Sequence, residues 1–176
     1  MKSGDAVENP VTGVRVVWRK TSAETGGLAV VAEVLLPPNG HVPFLHVHPR
    51  QQERLEVLAG SVGVRVGRGR SVVGPGARIV VPVGTPHRYW NAGDEPAHLV
   101  VELTPALRYE AFVATLCALA AAGEAEGRRR TPALRLAALA ADHFDTVRLA
   151  FPPAAVQRLV LAAVAPLARR SRDRRA

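Results

Sequence analysis

The sequence predicts a mainly β barrel or sandwich over residues 1–105, followed by about three C-terminal α-helices in residues 106–176. Two observations carry this reading. Of the 14 prolines and 15 glycines, 10 and 13 respectively fall within residues 1–105, where they punctuate short apolar, β-branched runs. Beyond Thr104-Pro105 the chain becomes Ala-rich, with apolar residues at helical spacing. A chain of 176 residues, 48% of them hydrophobic, fits one compact domain, or a domain with an appendage, and excludes a wholly disordered protein.

The strands are expected in order at Val14–Trp18, Leu28–Leu36, Leu55–Leu58, Val62–Val66, Arg78–Val81 and Leu99–Leu103. The segment Gly67-Arg68-Gly69-Arg70 superficially suggests a phosphate loop, but no helix or lysine follows in the required place, so it reads as a hairpin turn. Thr104-Pro105 has the chemistry of a helix start, and a helix is expected over Ala106–Ala122, ended by Gly123. Residues 124–130 form a polar linker. Thr131-Pro132 repeats the start signal for a second helix reaching about Ala150. After Phe151-Pro152-Pro153, a third helix is expected from Ala154 to about Ala165, just before Pro166.

The charge is lopsided. With 23 Lys+Arg against 15 Asp+Glu the net is +8 and the pI near 11.1, values that invite a nucleic-acid reading. Residues 1–105 hold 11 basic and 9 acidic residues, against 12 and 6 in residues 106–176. Much of the excess lies in Arg128-Arg129-Arg130 and in the tail from Arg169 to Arg175, as solvated runs usually do. A helix-turn-helix made of the last two helices is disfavoured, because Ala154–Ala165 offers only Gln157 and Arg158 as polar side chains. Nucleic acid is therefore not an expected partner. One cysteine, Cys117, excludes an internal disulfide, and no apolar run is long enough to span a bilayer, so a cytoplasmic protein without membrane contact is expected. Cys117 lies in an apolar run and reads as a small buried hydrophobe.

Two spaced patterns carry the chemistry. The first runs Gly40, five residues, His46-Val47-His48, four residues, Glu53, six residues, Gly60. The second runs Gly76, five residues, Pro82-Val83-Gly84, two residues, His87, three residues, Asn91. Positions two apart on a strand share a face, so His46 and His48 project together, and the loop after His48 lets Glu53 return to the same place. The turn Pro82–Pro86 reverses the chain so that His87 begins another strand.

These segments resemble the two sequence motifs of the cupin family at every defined position. The fifteen residues between them, Ser61–Pro75, resemble the short spacer of small bacterial members. The likeness covers roughly residues 25–105 and stops before the helical part. It implies a double-stranded β-helix, or jelly-roll, barrel in residues 1–105, with residues 106–176 as a helical extension ending in a basic tail. It also implies that His46, His48, Glu53 and His87 are metal ligands. Three neutral imidazoles and one carboxylate suit one divalent transition metal per chain, with iron, manganese, nickel and zinc all open, and an octahedral ion keeps two positions free. Gln51 and Gln52 are candidates to support the ligands.

Alternation places Phe44 and Val42 inward with His46, and Tyr89 inward with His87, so Phe44 and Tyr89 are candidate pocket residues. Tyr89 is the only nearby candidate proton donor apart from metal-bound water. His41 reads as a turn residue, His98 has no assigned role, and His143 reads as a solvated helix residue. The implied function is a small-molecule metalloenzyme of dioxygenase, isomerase or cyclase type; a non-catalytic binding or sensing barrel, regulatory in purpose, is the alternative. The expected partners are a small-molecule substrate or ligand and, to cover the apolar faces of the helices, a second copy of the chain in a homodimer.

Overall fold

A computed structural model describes residues 1–42, 44–125 and 133–173. Two antiparallel sheets face each other. The strands are β1 (Ala6–Asn9), β2 (Val14–Lys20), β3 (Val30–Leu36), β4 (His46–Val47), β5 (Gln52–Ala59), β6 (Val62–Val66), β7 (Gly69–Val73), β8 (Arg78–Val81), β9 (His87–Asn91) and β10 (Ala97–Thr104). Then come α1 (Tyr109–Ala125), α2 (Ala133–Asp142), the short β11 (Arg148–Leu149) and α3 (Ala154–Asp173). One sheet has the order β1-β2-β3-β10-β5-β8, the other β11-β4-β9-β6-β7. This is the expected jelly roll followed by helices.

The sequence alternation builds the core. On β3, Val30, Ala32, Val34 and Leu36 are buried; on β10, Ala97, Leu99, Val101 and Leu103 are buried opposite them. From the other sheet, Val62, Val64 and Tyr89 close on the same cluster. Each large apolar side chain taken from water here contributes roughly 1.5–3 kcal/mol. Glu53, Leu55 and Val57 share the inward face of β5, so the alternation that fills the core also aims a carboxylate into it. From α1, Val113 and Cys117 join this core, which confirms the reading of the cysteine.

Several boundaries differ from expectation. The strands β1 and β7 have weak apolar patterns and form as partners of β2 and β6. α1 begins at Tyr109 rather than Ala106, because Leu107 adopts φ 47°, outside the right-handed helical region, and Gln51 engages the carbonyls of Pro105 and Ala106. It also continues past Gly123 to Ala125. α2 ends at Asp142, well short of Ala150, because Arg148 and Leu149 pair with the open edge of β4 instead. α3 passes through Pro166 to Asp173, since a proline removes one helical hydrogen bond without obliging the backbone to stop. The run Arg128–Arg130, the start signal Thr131-Pro132 and the last three residues lie outside the described residues. Among the described residues no helix is long and apolar enough to cross a membrane.

Candidate metal centre

His46 lies on β4, His48 just beyond it, Glu53 on β5 and His87 at the start of β9. Antiparallel pairing sets His46 directly opposite His87, and the turn between β4 and β5 swings Glu53 across from them. Each of the four offers one ligand atom, and these atoms all lie within 4.8 Å of one another; all four residues are buried. His87 Nε2 lies 2.5 Å from Glu53 Oε2, and His48 Nε2 lies 3.8 Å from the same oxygen.

The outward nitrogens explain the inward ones. His46 Nδ1 donates to the Phe44 carbonyl at 3.0 Å, His48 Nδ1 to Thr146 at 2.8 Å, and His87 Nδ1 to Thr85 at 2.8 Å. With Nδ1 donating outward, each ring turns Nε2 toward the common centre, as a free lone pair in His46 and His48 and against the Glu53 carboxylate in His87. His48 Nε2, His87 Nε2 and Glu53 Oε2 are buried with no hydrogen-bond partner of acceptable geometry. Such a set of polar atoms is costly unless something binds them together. A divalent cation fits that requirement in charge and in donor type.

The electrostatics agree. Burial, reinforced by the neighbouring His87 and His48, depresses His46 to about 3, and burial lowers His48 as well, so both rings are neutral near pH 7. Burial alone would raise Glu53, but the contact with His87 and the charges of the three histidines outweigh it and hold the carboxyl at about 2. For His87, burial acts downward but the Glu53 contact prevails and raises it. The result is a buried carboxylate anion beside two neutral imidazoles and a His87 ring that holds its proton more readily than a free imidazole.

Tyr89 is buried on β9, as expected. Phe44 is 53% exposed, because neither it nor Leu45 has regular strand geometry before β4 and the alternation argument lapses there. Gln51 is fully buried, with Nε2 donating to both Pro105 and Ala106 at 2.9 Å; Gln52 instead accepts from the exposed Arg54. His143 is buried, 5% exposed, against Phe112, contrary to the expectation of a solvated residue; it sits in the turn after α2 that folds back on the barrel. His41 is exposed and bridges to Trp90, while His98 Nε2 lies 3.2 Å from Glu33.

The sequence reading missed Tyr109. It opens α1, and its ring lies edge-on to His48 with centroids 5.8 Å apart. Burial, then the negative field of Glu53, pushes its phenol upward, and Tyr89 is raised by burial and by its neighbours Tyr109 and Glu53. Two protonated phenols therefore flank the centre. Tyr109 lies outside both spaced patterns, and only the docking of α1 brings it there.

Comparisons with known proteins agree with this geometry. A family profile described as "Cupin domain" matches residues 32–102. A sugar phosphate isomerase of the cupin superfamily from Silicibacter pomeroyi superposes with a TM-score of 0.51 at 23% identity, over 58% of this chain and 71% of that one. A predicted oxalate decarboxylase from Thermotoga maritima gives 0.52 at 18% identity, over 57% and 90%. An RmlC-like cupin from Shewanella frigidimarina gives 0.51 at 16% identity, over 59% and 86%. At these identities the likeness speaks for the fold. No curated protein matches the chain.

Proposed function

We propose, from the match of residues 32–102 to the cupin domain profile, that this chain is a small-molecule metalloenzyme. His46, His48, Glu53 and His87 would hold one divalent transition metal. The observation that carries this reading is the inward convergence of three Nε2 atoms, each fixed by an Nδ1 bond to a carbonyl, around one buried carboxylate. When bound, such an ion supplies Lewis acidity and a template for a substrate.

The chain's own groups determine what arrives. One carboxylate against a doubly charged ion leaves a net positive site, which favours anionic or enolisable oxygen ligands. Tyr89 and Tyr109 keep their phenolic protons, so either one near the centre could donate a hydrogen bond to such a ligand. All four ligand residues are buried, which limits contact with bulk water. Dioxygenase, isomerase and cyclase chemistry all fit this frame.

The test is cobalt substitution followed by addition of acetohydroxamate, a bidentate oxygen donor. An enzyme site with free positions shows a shifted visible spectrum on addition. An unchanged spectrum marks a closed structural site and contradicts the enzyme reading. For assembly we propose a homodimer. Leu159 and Phe151 on the surface of the extension are 75% and 80% exposed, which fits a covered face. A monomer mass by light scattering contradicts it.

A further inference from the structure

We propose that the outer face of the β6-β7-β9 sheet carries a second binding site, for a small molecule bearing a phosphate group, built on Arg65, Arg70 and Arg88. The site is separate from the metal centre and does not depend on it.

Register makes the case. Arg65 is the direct cross-strand partner of Arg70 on β7 and of Arg88 on β9, so three arginine residues stand in one row across three strands, the outer two with their guanidinium groups over Trp90. All three residues are exposed, and no carboxylate pairs with any of them among the described residues. Like charges directly opposite each other destabilise a sheet. The other sheet shows the usual solution: Arg19, Arg54 and Arg78 face Glu33, Glu102 and Glu56. The unopposed row is a local departure from that solution, of the kind found where a ligand supplies the missing charge.

The row is also held in place. Trp90 packs over Gly63, where any added Cβ would clash with the indole. The guanidinium carbons of Arg70 and Arg88 sit 4.8 Å and 5.3 Å from the Trp90 ring centroid, and Arg65 Nε donates to the Gly67 carbonyl. Cation–π contact restrains both outer arginines before any ligand arrives. A cavity of about 340 Å³ opens beside them, lined by Asn39, His41, Arg70, Arg88, Trp90 and Asn91 among others, with no acidic residue in its wall. Forked donors arrayed this way match phosphate oxygens.

The occupant is small rather than polymeric. On one side the next outward row, Val72, Gly63 and Trp90, carries no charge, and on the other the sheet ends at the β6–β7 turn, where the exposed Arg68 adds one cation, so the cationic field is shallow. That depth fits a single phosphate group and leaves nothing to follow a chain of them.

The test uses inorganic phosphate as probe and calorimetry as readout, on the full chain, with Arg65→Gln, Arg70→Gln and, as a control on the other sheet, Arg54→Gln. The expected result is saturable phosphate binding, weakened by about tenfold or more in the first two variants and unchanged in the control. Without phosphate, Arg65→Gln should raise Tm, because it removes the central like charge. Equal phosphate affinity in wild type and Arg65→Gln overturns the proposal, since the ion then binds elsewhere, as at the metal centre. Absence of saturable binding, or a lowered Tm in Arg65→Gln, also overturns it. An oligodeoxythymidylate that displaces phosphate and binds far more tightly replaces the small-molecule reading with a polyanion platform.

Discussion

The Nδ1 of His48 donates to the carbonyl of Thr146, 98 positions later in the chain, at 2.8 Å. A residue of the barrel's central cluster is thus oriented by the C-terminal extension. Two residues beyond Thr146, β11 pairs with β4, so Leu149 faces His46 in the same sheet. The extension completes the sheet edge and fixes one imidazole.

If that bond orients His48, removing it should weaken metal binding while sparing the core. Truncation after Ala125, and separately Ala150→Pro, which removes the N–H donated to the Leu45 carbonyl beside β4 at 3.0 Å, should lower metal affinity by about 10–100-fold. Competition with a chromophoric chelator measures this, with circular dichroism as the check on the barrel. Wild-type affinity in a folded Ala150→Pro variant contradicts the positioning role.

Gln51 links the centre to α1. Replacing it with Ala leaves the carbonyls of Pro105 and Ala106 without their donor inside the protein. The expected loss is about 1–3 kcal/mol in urea unfolding. A change within error shows that water replaces the amide.

Much of the candidate site is legible in the sequence because spacing and strand period are local quantities. His46 and His48 share a face by the period of two, and the turn Pro82–Pro86 delivers His87 to β9. What the sequence hides is long-range. Tyr109 reaches the site only because Leu107 turns left-handed and delays α1. Arg148 and Leu149 read as helix by composition, yet the open edge of β4 recruits them, since an unpaired edge offers hydrogen bonds that local propensity does not register. His143 likewise becomes buried through the fold of the turn after α2.

The inward alternation of β10 makes a quantitative claim about the core. Leu99 is fully buried at the centre of its strand, and Leu99→Ala should cost about 2–5 kcal/mol. Val72, 62% exposed on β7, should tolerate Ala within about 0.5 kcal/mol. Denaturation midpoints of the two variants read this contrast, and similar losses contradict the assignment of inside and outside.

The central claim is that His46, His48, Glu53 and His87 hold a metal ion. Elemental analysis of protein purified without chelating steps tests it most directly, alongside His46→Ala and Glu53→Gln. The predicted result is about one divalent transition metal per chain in the wild type, lost in both variants, with a lower Tm once metal is removed. Metal-free wild-type protein of undiminished stability that takes up no added iron, manganese, nickel or zinc contradicts it.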